Sequence, residues 1–307
     1  MNPQGRRGAL YGAGAYLLWG VFPLYFRLLE ASGAVEVVLH RIIWSLLVCL
    51  VVVAAMRQWT ELRRAMSAGR GVVMLGAAAG FLAVNWGVYI YAVNSGHVVE
   101  ASLGYFINPL VTVLLGVVVL RERLRVAQWV AVGLGTLAVV VLTVDYGRPP
   151  VIALTLALTF GIYGLVKNRV GVSVGALASL TTETLVLAPV AAAALVVLEA
   201  RGDGHFSDDA PWQGLLLVSA GVVTVVPLLF FAAAARRVPL STMGLLQYMT
   251  PVLQLLCGVL VLGETMPASR WAGFGIVWLA LVVLTLDSLR SARVRSRAAA
   301  TPEPMPA

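Results

Sequence analysis

The chain has 307 residues, 60% of them hydrophobic and only 12% charged, with a formal net charge of +8. Soluble domains are about 45–50% apolar and about 25% charged, so a water-soluble enzyme is nearly excluded and a polytopic membrane protein is the starting point. The positive charge lies between apolar runs rather than in one patch, which argues against nucleic acid as a partner.

One membrane-crossing helix needs about 20 apolar residues, so a chain of this length has room for about ten. In chain order the predicted spans cover about 8–29, 36–56, 71–93, 98–120, 126–144, 150–166, 175–198, 212–234, 240–262 and 269–288. The expected class is all-α, a polytopic membrane protein with ten transmembrane helices. The first run follows Arg6 and Arg7; it is too long for a signal-peptide core and lacks a clear cleavage site, so it reads as a retained helix. Cys49 and Cys257 each sit inside an apolar run and read as small buried hydrophobes, not as a disulfide or a metal pair. Residues 289–307, basic and then small and proline-rich, are expected to form a disordered cytoplasmic tail.

The basic residues set the orientation. Counting alternate loops from the N-terminus, 17 of the 22 Lys and Arg fall on one side. That bias places both termini in the cytoplasm and supports an even number of spans.

A shift of 142 residues aligns the chain with itself. Pro109 meets Pro251, Glu122 meets Glu264, Trp129 meets Trp271, and Asp145 meets Asp287. Each half, 8–144 and 150–288, holds five predicted spans. An odd count means that the second half enters the membrane upside down relative to the first. Inverted repeats are a recurring architecture of secondary transporters, with the site near the midplane between the halves.

Polar groups inside a membrane are expensive unless they face protein or a cavity. Tyr105, Asn108 and Thr112 are spaced i, i+3, i+7 and share one helical face. The repeat carries them onto Gln247, Thr250 and Gln254 with the same spacing. Each stripe lies beside a proline, which frees a backbone carbonyl. Asn85, Trp86 and Tyr89 add amide and aromatic groups on the third span, with Trp19 and Tyr163 as weaker members. All nine stripe and third-span residues are candidate substrate contacts, suited to an amphipathic or aromatic solute. The competing reading is helix-to-helix hydrogen bonding with no substrate. Gly76 and Gly80 form a GxxxG pair that favours close helix packing.

Four ionisable residues at membrane depth, Arg41, Glu100, Lys167 and Glu183, need partners. Arg41 and Glu183 are repeat-related, but their depths differ by about 10 Å at 1.5 Å rise per residue, which opposes a direct pair. The expected pairs are Arg41 with Glu100 or Glu36 on the outer side and Lys167 with Glu183 on the inner side. They are either alternating gates or static salt bridges. Glu183, if unpaired, is also the candidate proton carrier. His40, His97 and His205 stand in separate segments, so no metal site is expected. A P-loop, a dinucleotide fingerprint and hydrolase motifs are missing, and no cofactor is expected.

Several stretches are more specific than composition: EVVLHRIIWS at 36–45, NWGVYIYAVNSGHVVEASLGYFINPLVTVLLGVVVLRE at 85–122, ALTFGIYGLVK at 157–167 and QYMTPVLQLLCGVLVLGE at 247–264. Together they resemble the RarD branch of the EamA family, in the drug/metabolite transporter superfamily, over about residues 8–290. The resemblance implies two inverted five-helix repeats in the bacterial inner membrane and export of solutes. The reading is a secondary transporter of small metabolites or amphipathic compounds, with the lipid bilayer as its surroundings. Proton coupling and a homodimer are both compatible with it. The alternatives are a non-transporting membrane sensor or scaffold with the same fold and, less supported, a lipid-modifying membrane enzyme.

Overall fold

The computed structural model describes residues 3–67, 69–121, 123–170, 175–206, 211–235, 237–238 and 240–300. Glu122, matched above with Glu264, and Arg236, one of the 17 basic residues counted on the cytoplasmic side, lie outside them. The described residues form helices: α1 (Pro3–Gly20), α2 (Phe22–Arg27), α3 (Gly33–Ala55), α4 (Trp59–Ser67), α5 (Arg70–Asn94), α6 (Val98–Leu120), α7 (Val126–Tyr146), α8 (Val151–Val170), α9 (Ala176–Ala200), α10 (Pro211–Ala235), α11 (Leu240–Leu246), α12 (Met249–Leu256) and α13 (Ala268–Ala300), with a 3-10 turn at Glu30–Ser32 and a π-turn at Cys257–Val261.

Nine stretches among them are long and apolar enough to cross a membrane. The tenth predicted span is the shorter apolar run Val151–Lys167 within α8. The first span is broken where α1 gives way to α2, because Pro23 cannot donate an N–H to the Trp19 carbonyl four residues before it. The ninth is assembled from α11, α12 and the π-turn. α13 continues to Ala300, so the stretch 289–300, read as disordered, has a helical backbone. Its alanines and arginines are strong helix formers, which charge and low hydropathy alone concealed.

The chain divides into two compact units that do not follow the two halves of the repeat. The larger unit takes residues 1–108 and 151–265. In it α3 packs against α9 and α10, α5 against α8, and α1 against α10 and α12. Two glycines allow close approach. A side chain at Gly221 of α10 would collide with the backbone of Trp44 in α3, and one at Gly104 of α6 with the backbone of Ala153 in α8. Of the Gly76–Gly80 pair, Gly76 lies close to α9, where a side chain would begin 3.2 Å from Val186, whereas nothing lies within 4 Å of where a Gly80 side chain would begin. The α6 N-terminus is closed by the Glu264 carboxylate, which accepts from the Val98 and Val99 amides at 2.5 and 2.8 Å. A negative group there answers both the orphan donors and the positive end of the helix dipole.

The smaller unit takes residues 109–150 and 266–307. In it α7 and α13 run antiparallel. Asp145, near the end of α7, accepts from Ser269 and, at 3.0 Å, from Arg270 Nε at the start of α13. Asp287 on α13 in turn receives Arg125 Nε at 2.8 Å from the start of α7. The repeat-related aspartates thus close opposite ends of one helix pair.

Candidate functional site

The larger unit holds a buried cation. Arg41 is 4% exposed, and α3 directs it toward α5 and α10. Its Nε donates to Thr224 Oγ1 at 2.8 Å. Its guanidinium carbon lies 4.0 Å from the centre of the Trp86 ring, 5.2 Å from Phe26 and 5.7 Å from Phe22. Aromatic faces attract a cation through their ring quadrupole. No carboxylate among the described residues forms an ion pair with it.

The two expected partners of Arg41 are engaged elsewhere. Glu36 accepts from the His205 amide at 2.8 Å and lies 2.9 Å from His205 Nδ1, which ties the segment after α9 to α3. Glu100 accepts from the Ile152 amide at 3.0 Å and so closes the start of α8. Depth along the helix suggested both partners, but direction decides. Residues five apart on a helix point about 140° away from each other, so Glu36 and Arg41 face different neighbours.

From this cation a row of rings crosses the unit. Tyr89 packs 5.8 Å from Tyr105, Tyr105 lies 6.3 Å from Phe160, and Phe160 lies 5.9 Å from Tyr163. Asn85 fixes the middle of the row. Its amide donates to the Leu156 carbonyl and to Thr159 Oγ1, both at 3.0 Å, while its carbonyl receives Tyr105 OH at 3.3 Å.

At the far end Tyr163 OH donates to Glu183 Oε2 at 3.3 Å. Lys167 Nζ lies 2.6 Å from Glu183 Oε1, and Ser179 Oγ donates to the same oxygen at 2.9 Å. Lys167 also touches Ser179 Oγ. Glu183 is 1% exposed, so this is a buried carboxylate with its partners in place.

Asn85, Trp86, Tyr89 and Tyr105 therefore come together with Arg41 at one end and Lys167 and Glu183 at the other. The second polar stripe does not join them. Thr250 Oγ1 donates to the Tyr16 carbonyl at 3.0 Å, and Gln254 Nε2 to the Trp19 carbonyl at 3.2 Å. The latter carbonyl is the one that Pro23 leaves without a helical partner, so Gln254 repairs a backbone defect. Gln247 and Thr112 are exposed, and Asn108 is half-buried at the end of the larger unit. Phe160, Tyr25 and Thr224 escaped the sequence reading, because a single aromatic or hydroxyl residue in an apolar run carries no periodic signal.

A groove of about 630 Å³ between α3 and α9, lined by Val35, Leu39, Pro189, Val190, Ala193, Ala194, Val197, Leu198, Arg201 and Asp203, shares no residue with this row. Among the described residues no three His, Cys, Asp or Glu side chains gather as metal ligands.

The model of the EamA-like transporter family matches the chain twice, over residues 6–144 and 149–286. The RarD protein of Streptomyces exfoliatus is 53% identical, with 95% of this chain and 92% of that protein covered. An uncharacterized transporter of Pseudomonas aeruginosa is 46% identical over 94% of this chain and 96% of its own length. A solved crystal structure superimposes with a TM-score of 0.59 at 20% identity, over 92% of this chain and 98% of that one, a likeness of fold. With its apolar helices and this similarity along nearly its whole length, the chain is a multi-pass membrane protein that belongs to the EamA-like transporter family.

Proposed function

We propose that the protein is a secondary transporter that exports small organic solutes by alternating access, with both termini in the cytoplasm and two inverted repeats over 8–144 and 150–288. The observation that carries this reading is the row Trp86, Tyr89, Tyr105, Phe160 and Tyr163 between Arg41 and the Lys167–Glu183 pair, all of it buried or half-buried except the exposed Phe160. A row of rings across membrane-embedded helices offers stacking to a flat or apolar solute. Fixed charges at both ends of the row suit two closures that open in turn. In this reading the solute passes along Trp86 and Tyr105, with Asn85 holding Tyr105 in place. Asn108, beside Pro109 and three residues after Tyr105 on α6, is a further solute contact in this reading. The Lys167–Glu183 pair closes the inner end, and a coupling proton, where one is used, acts there.

The test is comparative export. Metabolites are profiled inside and outside cells that lack the protein, overproduce it, or carry Trp86→Leu with Tyr105→Leu. A compound that accumulates outside only with the intact protein is the expected result. Accumulation unchanged by the double substitution would remove the row as the path, and no change in any compound would contradict export.

A further inference from the structure

We infer that Arg41 is the receptor for an organic anion, and that the substrate class is small carboxylates, singly charged and carrying an aromatic or apolar body. This deepens the proposed transport function and rests on it.

The charge of Arg41 is not balanced among the described residues. A guanidinium presents five N–H donors, and Arg41 commits one, Nε, to Thr224. The other four point from a side chain that is 96% out of contact with solvent, among Trp86, Phe26 and Phe22. Ring faces attract the cation but supply no acceptor oxygens and no countercharge. Buried charges are ordinarily paired.

The repeat shows that the fold does not impose this imbalance. At a shift of 142, Arg41 corresponds to Glu183 and Tyr25 corresponds to Lys167. In the second half the buried carboxylate has its ammonium at 2.6 Å. In the first half the counterpart of the ammonium is a neutral phenol. Tyr25 spends its hydroxyl on the Leu216 carbonyl at 2.6 Å and on Ser219 at 2.9 Å. Glu36 and Glu100, the nearest candidates by sequence, close helix and loop amides instead.

A second group points to the same ligand. Tyr89 is 3% exposed, and its hydroxyl has no hydrogen-bond partner among the described residues. It stands one turn from Trp86 on α5, and its ring packs on Phe26, which also lies under the guanidinium. A carboxylate is planar with two acceptor oxygens, so it takes the guanidinium fork and a phenolic donor together. One cation matches one negative charge, which disfavours phosphorylated polyanions. The neighbouring rings of Trp86 and Tyr105 suit the apolar body.

The experiment measures binding, not flux. The full chain in lipid nanodiscs is titrated with radiolabelled phenylacetate, with neutral phenylacetamide and cationic 2-phenylethylamine as shape-matched probes, against empty nanodiscs. Phenylacetate is expected to bind about tenfold or more tighter than phenylacetamide, a difference of about 1.4 kcal/mol. Arg41→Gln is expected to abolish that preference and Arg41→Lys to keep part of it. Tyr89→Phe, which removes a hydroxyl with no hydrogen-bond partner among the described residues, is expected to weaken phenylacetate severalfold with an unchanged melting temperature. Should Arg41→Gln fail to fold, Arg41→Lys and Tyr89→Phe decide. Equal binding of the three probes, a preference for the amine, no saturable binding of phenylacetate, or a preference that survives Arg41→Gln would overturn the inference. Anion binding without any exported compound keeps Arg41 as a receptor and removes transport. Export insensitive to Arg41→Gln does the reverse.

Discussion

Arg41 and Glu183 occupy equivalent positions in the two halves of the repeat, yet their surroundings differ in kind. Glu183 has an ammonium, a hydroxyl and a phenol directed at its two oxygens. Arg41 has one hydroxyl acceptor and three aromatic faces. A buried charge with its partners is a structural device, and one without a countercharge is a stored cost that function can use. The contrast separates a buried charge that is balanced within the protein from one that is not.

The strongest way to break this contrast is to unbalance the balanced end. Lys167→Met leaves the Glu183 carboxylate buried, and the loss of one member of such a pair costs about 3–5 kcal/mol. Equilibrium unfolding in mixed micelles should show that loss, and Lys167→Met with Glu183→Leu should recover most of it. A Lys167→Met protein as stable as the parent would make the pair a surface ornament.

Glu36→Gln comes next. The Glu36 carboxylate holds the backbone and ring of His205, and hydrogen bonds to a charged group contribute about 1.5–3 kcal/mol. Faster amide exchange at His205, with α3 itself unchanged, is the expected signature. Uniform exchange across α3 would mean that Glu36 supports the helix rather than the segment.

Arg41→Met sharpens the comparison from the other side. No carboxylate is orphaned, and Thr224 keeps its own bond to the Ala220 carbonyl. The change should therefore cost no more than about 1 kcal/mol, or bring a gain through relief of the unpaired charge. A loss as large as that of Lys167→Met would show Arg41 to be balanced within the protein. The smallest effect belongs to Asp287→Asn in the smaller unit. Its partner Arg125 has a side chain 50% exposed, and exposed pairs are worth about 1 kcal/mol or less.

Much of this architecture was legible in the sequence. Hydropathy placed the spans, and the match of Asp145 with Asp287 marked positions that close the two ends of the α7–α13 pair. Depth arithmetic separated Arg41 from Glu183 and brought Lys167 toward Glu183. The same arithmetic failed for Arg41 with Glu36, because it follows rise along the axis and ignores angle around it. The stripe of Thr250 and Gln254 read as open to a cavity, whereas both side chains bond carbonyls of α1. That demand arises partly from Pro23, far away in sequence, so spacing within one helix could not reveal it. The row from Tyr89 to Tyr163 is assembled from three helices and becomes visible only once they pack.

In the proposed transport cycle this row is a path open in turn to both sides of the membrane. Its most direct measurement is labelling of a single cysteine. With Cys49 and Cys257 replaced by alanine, Tyr105→Cys is treated with a membrane-impermeant maleimide in right-side-out and inside-out vesicles. The account predicts labelling from both sides. Protection from both sides would describe a packed scaffold and would contradict it.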